Sequence, residues 1–473
     1  MTKKMQHEEF DIRNPRSHSV RQDRFDCDPE RFKVKTNSGQ TFRVIDFSPF
    51  GIALEQVPES MQQISDGEFQ VDGFKVGNLN LRLVRNFNSP SGNKAAAFSI
   101  VGEPLDVEAA LAVQDLNEIV QNISQQHADQ QQIKPEFRLL TLEVKNLLQS
   151  LEGAINSLRP SSFSNDLIAV SKFEDSIASR VAHFFQSALT PIYQRLQELT
   201  KDIAPEQLPI YFDFFRQILG DLLFQSAYAH RAYFKPRGYA GDFEMMNHVY
   251  KRELRGESLF AKCLQRYFVD EPAGKAVRNR EAYLRTKIRE ICRISSAQLP
   301  IRLLSVASGP AVEIQKLVSD PEFSIENLEF HLLDQDLDAL KHAQRRILEV
   351  ALPLNRIPKL QLHHRAIKNV IQEGLLDRNY DLIYSAGLFD YFTDPVAVYA
   401  AQQLVAGLRP QGRLVIGNFS MKNPNQFAMG LIMDWNLIYR SEEKMKELFS
   451  RAGSSYQLEQ EDQGINFFAI ITK

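Results

Sequence analysis

The sequence LLSVASGPAVEI, residues 303–314, opens as an apolar strand-like run, breaks at a turn of small residues, and resumes with the spacing of a helix. Ala307, Ser308, Gly309 and Ala311 are all small. Such a turn lets a ligand approach the backbone, and a side chain larger than methyl at Ala307, Gly309 or Ala311 would hold it off. Gly309 is also free to take a positive φ. A dinucleotide fingerprint would want G-x-G-x-x-G to admit a pyrophosphate, whereas this turn has one glycine followed by Pro310. The next strand-like run, LEFHLLD, ends in Asp334, and a carboxylate at a strand tip can accept both hydroxyl hydrogens of a ribose. Asp336, just beyond, reads as a helix N-cap. A later run, YDLIYSAGLFDYF, ends in Ser385, Ala386 and Gly387, again small, with Leu388, Asp390 and Tyr391 beyond, and GRLVIGNF delivers Asn418.

These residues need a scaffold that aligns several strand tips. From Ile301 onward, strand-like pieces (IRLLSVA, LEFHLLD, KLQLHH, YDLIYSA, GRLVIGNF, SYQLEQE, INFFAIIT) alternate with helix-like ones. That alternation predicts a doubly wound, Rossmann-like α/β domain over 301–473, with ligands outside the carboxyl ends of its strands. Upstream, Leu140, Val144, Leu147, Leu151, Ile155 and Leu158 recur at helical steps, as do Leu167, Val170, Phe173, Ile177, Val181 and Phe184. Residues 106–300 therefore read as a mostly helical middle region, with the polar stretch SQQHADQQQIKP (124–135) as a solvated helix segment or hinge. Residues 18–105 hold short runs (RFKVKT, TFRVIDF, IALEQV, FKVGNLNLRLVRNF, AAAFSIVG) separated by Gly, Ser, Pro and Asn, the pattern of a small antiparallel barrel or sandwich. Residues 1–17 read as a flexible N-terminus.

The whole chain narrows the function classes. At 473 residues it has room for about three domains. Hydrophobic residues at 43%, charged residues at 24% and a formal net charge of -3 describe an ordinary globular protein with no basic excess for a nucleic-acid polymer. The first residues lack the apolar core of a signal peptide and no run approaches a membrane span, so the expected location is the cytoplasm. Three widely spaced cysteines (Cys27, Cys263, Cys292) fit neither a disulfide framework nor a zinc site, and no metal-ligand spacing stands out.

The turn resembles the motif of class I S-adenosylmethionine (SAM)-dependent methyltransferases, an acidic residue followed by G-x-G-x-G, with Ser305 at the acidic place and Ala307 and Ala311 at the outer glycines. The resemblance implies that Ala307, Ser308, Gly309, Asp334, Ser385 and Gly387 bind SAM, and that Ala366 and Ile367, beside Arg365, wall the adenine. Two further stretches are more distinctive: FKPRGYAGDFEMMNHVY (234–250), and GNFSMKNPNQFAMGLIMDWNLIYRS (417–441), which holds the only tryptophan, Trp435. In the first, Asp242 also reads as a helix cap; in the second, Met433, Trp435 and Ile438 also read as core. Over roughly 220–473 these stretches resemble the bacterial extracellular factor 3-hydroxypalmitic acid methyl ester biosynthesis family. What that implies is methyl transfer from SAM to the carboxylate of a 3-hydroxy fatty acid, yielding a quorum-sensing ester.

A carboxylate is already ionised at neutral pH, so such an enzyme must place it in line with the methyl sulfonium and remove water. Arg237 or Arg440 could hold the acid by two parallel hydrogen bonds, and Tyr239, Tyr391 or Tyr439 could bond its oxygens or the 3-hydroxyl. Tyr211, Phe214, Phe215, Leu219, Leu222 and Leu223 could line an acyl channel, although helical spacing favours ordinary core. The front region resembles a PilZ domain, a receptor for cyclic di-GMP, through Asp46, Ser48 and Gly51 in VIDFSPFGIAL and the preceding SVRQDRF. The resemblance implies that Arg21 and Arg24 bind the nucleotide's phosphates and guanine while Asp46 and Ser48 bond the base. The family's R-x-x-x-R is incomplete here, since Val20 stands where its first arginine would be, and a turn alone would explain Asp46, Ser48 and Gly51. Two alternatives stay open: a PilZ-family receptor whose α/β domain has lost catalysis and serves for docking, and an enzyme acting on a protein or another small acid.

Overall fold

In the computed structural model, residues 24–158, 167–294 and 300–473 are described. They form two compact units divided after Gln132.

The first unit contains strands β1 (Phe25–Asp26), β2 (Phe32–Lys35), β3 (Thr41–Ser48), β4 (Gly51–Glu55), β5 (Gln63–Val71), β6 (Phe74–Asn88) and β7 (Lys94–Ile100), followed by helix α1 (Val107–Gln131). Antiparallel pairing runs β3-β2-β5-β6-β7-β4 and closes on itself through β3–β4, a six-strand barrel with β1 added alongside β3. Alternate side chains fill it, with Phe47 packed against Phe32 and Phe69 at ring separations of 5.4 and 5.3 Å. Strand β5 is absent from the sequence reading because a bulge between Ile64 and Gly67, with Asp66 at φ 49°, breaks its alternation. Helix α1, capped by Asp106 through the Ala109 N–H, belongs to this unit rather than to the helical middle. Arg31 ties it to the barrel by pairing with both Asp72 and Glu118. The polar stretch 124–135 is the end of α1 together with the boundary between the units.

The second unit begins with helices α2 (Pro135–Ser157), α3 (Leu167–Thr200), α4 (Leu208–Leu223), α5 (Ala227–Phe234), α6 (Phe243–Lys251), α7 (Leu259–Asp270) and α8 (Pro272–Ile294). It continues as β8 (Ile301–Val306), α9 (Val312–Val318), β9 (Leu328–Asp334), α10 (Leu337–Ala351), β10 (Lys359–His364), α11 (Ile367–Glu373), β11 (Tyr380–Ser385), α12 (Asp394–Gly407) and β12 (Leu408–Phe419). Helices α13 (Gln426–Met433) and α14 (Glu442–Phe449) and strands β13 (Ser455–Gln460) and β14 (Asn466–Thr472) complete it. The sheet order is β10-β9-β8-β11-β12-β14-β13, parallel from β10 through β12, with β14 antiparallel to both neighbours. The chain builds outward from β8 to β10, then crosses back to start β11 on the other side of β8. The crevice between the β8 and β11 tips is the switch point where such sheets bind ligands. Apolar clusters on both faces of the sheet explain why its strands read as continuous apolar runs.

The helices before the sheet share one core with α13 and the segment after it, including Met433 and Trp435. Tyr211, Phe214, Phe215, Leu219, Leu222 and Leu223 all lie in that core. Among the described residues no helix is long and apolar enough to cross a membrane. Burial raises the thiol pKa values of Cys27 and Cys263 to about 12 and of Cys292 to about 11, which leaves them unreactive as thiolates.

Candidate functional site

A cavity of about 400 Å³ opens at the switch point, a volume suited to a ligand of cofactor size. Its floor is the turn after β8. Ala307, Gly309 and Ala311 all have left-handed backbones, with φ of 53°, 52° and 49°. An alanine pays roughly 1–2 kcal/mol for that conformation, so the surrounding contacts hold the turn in a shape its side chains disfavour. Asp334, at the tip of β9, accepts the Gly309 N–H at 2.9 Å and the Asp336 N–H at 3.0 Å. Burial still raises its pKa, the two N–H donors opposing this. Asp336 caps α10 as its sequence position suggests, accepting from Asp338 and Ala339.

Three sequence stretches meet across the cavity. A Cβ on Gly241 would lie 2.9 Å from the Tyr391 hydroxyl and 3.3 Å from Trp435, so a larger residue there would have to push Tyr391 aside. Trp435 Nε1 donates to Tyr391 Oη at 2.9 Å. The PRGYAGD loop, the end of β11 and the helical insertion after β12 thereby form one wall. Asp242 caps α6 through the Met245 N–H and pairs with Arg231, holding the loop's exit.

Two lining residues had no signal in the local sequence. Glu313, on α9, accepts from Tyr384 Oη at 2.8 Å, and Tyr384 also hydrogen-bonds Ser305. Burial raises the Glu313 pKa to about 7. A carboxyl is thus supplied beside Ser305 from the following helix. Arg280, on α8, is 8% exposed; its Nη1 donates to Ala386 O at 3.1 Å, its Nη2 faces Met246 Sδ at 3.3 Å, and its Nε has no hydrogen-bond partner. A Cβ on Gly387 would sit 3.0 Å from Arg280 Nη1, so the small β11 tip makes room for this guanidinium. Asp390 accepts the Phe419 N–H at 2.6 Å, and burial raises its pKa to about 6. A buried cation whose hydrogen bonds go to a carbonyl, a thioether and the Tyr250 side chain, with its Nε unbonded, would be stabilised by an anionic ligand.

The other expected site residues divide. Ala307, Ser308, Gly309, Asp334, Ile367, Gly387, Tyr239 and Tyr391 line the cavity, as does Arg365. Ala366, at the N-cap of α11, and Ser385, fully buried, lie outside the lining, as does Tyr439, whose hydroxyl faces Met429 Sδ at 3.8 Å. Arg237 is also outside it, bound to Asp336, Asp338 and Glu244 and stacked over Phe243 at 4.7 Å. Arg440 is 1% exposed and gives its donors to Phe389 O, Phe392 O, Asn418 Oδ1 and Asp394 Oδ1. It ties β12 to the segment after β11, and Asn418 serves the same joint. The proximity of these arginines to distinctive motifs does not reveal that carboxylates and carbonyls already occupy them.

In the barrel, Arg24 Nη1 and Asp46 Oδ1 form an ion pair at 2.5 Å, and Ser48 Oγ donates to Gly51 O at 3.3 Å. A Cβ on Gly51 would meet Arg24 Nη2 at 3.3 Å, so four of the expected nucleotide residues are neighbours. The fifth, Arg21, and residues 1–17 lie outside the described residues.

No protein-family model and no curated protein matches the chain. Among solved structures, a possible exported protein from Bordetella parapertussis is 18% identical, with a TM-score of 0.39, covering 49% of this chain and 79% of that one. Magnesium protoporphyrin IX methyltransferase (ChlM) from Synechocystis PCC 6803 with bound SAH is 11% identical, with a TM-score of 0.32 over 42% of this chain and 87% of that one. The CurJ carbon methyltransferase is 13% identical, with a TM-score of 0.35 over 70% of this chain and 98% of that one. Several structural neighbours are thus SAM-dependent methyltransferases at low identity; likeness at these values carries no inference about activity.

Proposed function

We propose that the chain is a SAM-dependent methyltransferase acting on the carboxylate of a hydrophobic acid, with a 3-hydroxy fatty acid as the acceptor that its sequence resemblance favours. The observation that carries this is Asp334, whose carboxylate is locked to the Gly309 N–H at the floor of a switch-point cavity and is placed to accept a ribose diol. Glu313 and Asp390 add carboxyl groups that, when ionised, attract a sulfonium. Arg280 is the group best placed to hold the acceptor's carboxylate, and the Tyr391 hydroxyl stands on the same cavity wall.

The acceptor oxygen attacks the methyl carbon, the S–CH₃ bond breaks with its electron pair passing to sulfur, and neutral S-adenosylhomocysteine and a methyl ester result. No proton moves, so the protein's work is alignment and exclusion of water. On this reading the barrel is a cyclic di-GMP receptor of PilZ type. The docking alternative is less favoured because a surface without ligand has no use for a strained turn at Ala307 and Ala311 beside a buried arginine whose Nε has no hydrogen-bond partner.

The test is ester formation from SAM and 3-hydroxy acids, followed by mass spectrometry, in the wild type and in Arg280→Met. The variant is expected to lose about tenfold to hundredfold in kcat/KM while keeping its SAM affinity, in line with removal of a charged hydrogen bond worth roughly 1.5–3 kcal/mol. Equal turnover of a neutral alcohol and the acid by the wild type would sink the carboxylate assignment.

A further inference from the structure

His331 on β9 and His363 on β10 lie on adjacent parallel strands, and because His363 pairs with Leu333 the two imidazoles share one face of the sheet. His331 Nδ1 is 2.9 Å from His363 Nε2, and Asp377 Oδ2, from the loop before β11, is 3.9 Å from each nitrogen. A triangle with sides of 2.9, 3.9 and 3.9 Å has its equidistant point about 2.1 Å from every corner. Bonds from zinc to imidazole nitrogen and carboxylate oxygen are roughly 2.0–2.2 Å long. We infer that His331, His363 and Asp377 form a binding site for a divalent transition metal of the zinc, cobalt and nickel class.

Space and polar accounting support the same point. A cavity of about 10 Å³, the lower limit for one water, is lined by His363, Asp377 and Tyr380, though not by His331. Tyr380 Oη also approaches His331 Nδ1, at 3.2 Å, so a hydroxyl and a second ring converge on one imidazole nitrogen. The other nitrogen, Nε2, is buried with no hydrogen-bond partner. A metal would take the facing lone pairs of His331 Nδ1 and His363 Nε2 and leave the His331 proton on Nε2, on the side of Glu329 Oε2 at 3.9 Å. Arg302 holds Glu329 at 3.4 Å and the second oxygen of Asp377 at 3.6 Å. Two nitrogens and one carboxylate suit zinc-like ions better than magnesium or calcium, which take oxygen ligands. Asp377 is 41% exposed and leaves an entry path.

Leu333 and Arg365 line both this small cavity and the large one. An ion here would tie together the strands whose tips carry Asp334 and Arg365. The site stands whether or not the chain transfers methyl groups.

The experiment uses the full chain, without a polyhistidine tag and stripped of metal by a chelator, titrated with Co²⁺ and read by visible absorption. One Co²⁺ per chain is expected, displaced by Zn²⁺, and bound at least tenfold more weakly by H363Q and by D377N. H364Q, one residue further along β10, is expected to bind as the wild type does. Because Asp377 lies on a loop and is 41% exposed, D377N serves even where a histidine variant fails to fold. Absence of saturable Co²⁺ absorption in the wild type, or absorption unchanged in D377N, overturns the site.

Discussion

The turn after β3 in the barrel and the turn after β8 in the α/β sheet both follow a strand, and both combine a serine with a glycine. They differ in what they leave unsatisfied. In the barrel, Arg24 pairs with Asp46, whose pKa partial burial still raises, the arginine side chain is 44% exposed, and Ser48 bonds a carbonyl of its own turn. In the sheet, alanines hold left-handed conformations, Glu313 and Asp390 are buried with raised pKa values, and Arg280 keeps an orphan Nε. A turn whose polar groups are already paired can stand without a ligand, and a nucleotide there would have to displace the Arg24–Asp46 pair. A turn that stores strain and buried charge needs a ligand, because those costs persist only where something offsets them.

The largest effect expected from this contrast is on the sheet side. Glu313 has its ordinary value near 4.5 in the unfolded chain and about 7 in the folded one. Between those values the folded state holds the extra proton, so this group's contribution to stability falls as pH rises. The shift corresponds to a loss on the order of 3 kcal/mol by pH 8 relative to pH 4. Asp390, raised to about 6, acts in the same direction. Glu313→Gln keeps an acceptor for Tyr384 and is expected to make the protein more stable than the wild type at pH 8 but not at pH 5 in urea unfolding. An equal effect at both pH values would contradict the assignment. The smallest effect is expected in the barrel, where Asp46→Ala removes a partly exposed ion pair and should cost less than about 1 kcal/mol. A loss well above that would mean that the barrel turn is a buried network like the other, and the contrast would fail.

The sequence carried the α/β sheet well, because strands buried on both faces are continuous apolar runs, and it carried Asp334 because a strand tip is a local feature. Strand β5 is hidden by a bulge, and α1 reads as part of the helical region because periodicity reveals a helix but not what it packs against. Arg280 was invisible for a related reason: it is one arginine in a basic helix until α8 packs beside the β11 tip and Gly387 admits its guanidinium. His331 and His363 sit 32 positions apart, and only strand register brings their nitrogens together. Arg237 and Arg440 stood near distinctive motifs, yet what decides their chemistry is the carboxylates and carbonyls that long-range folding brings to them.

The measurement that bears most directly on the central claim is calorimetric titration of the full chain with SAM, beside Asp334→Ala of wild-type circular dichroism. One site per chain is expected, weakened about tenfold to hundredfold by the substitution, as loss of charged hydrogen bonds worth roughly 1.5–3 kcal/mol requires. No binding by the wild type, or equal affinity in the folded variant, would contradict the assignment of the cavity to this cofactor.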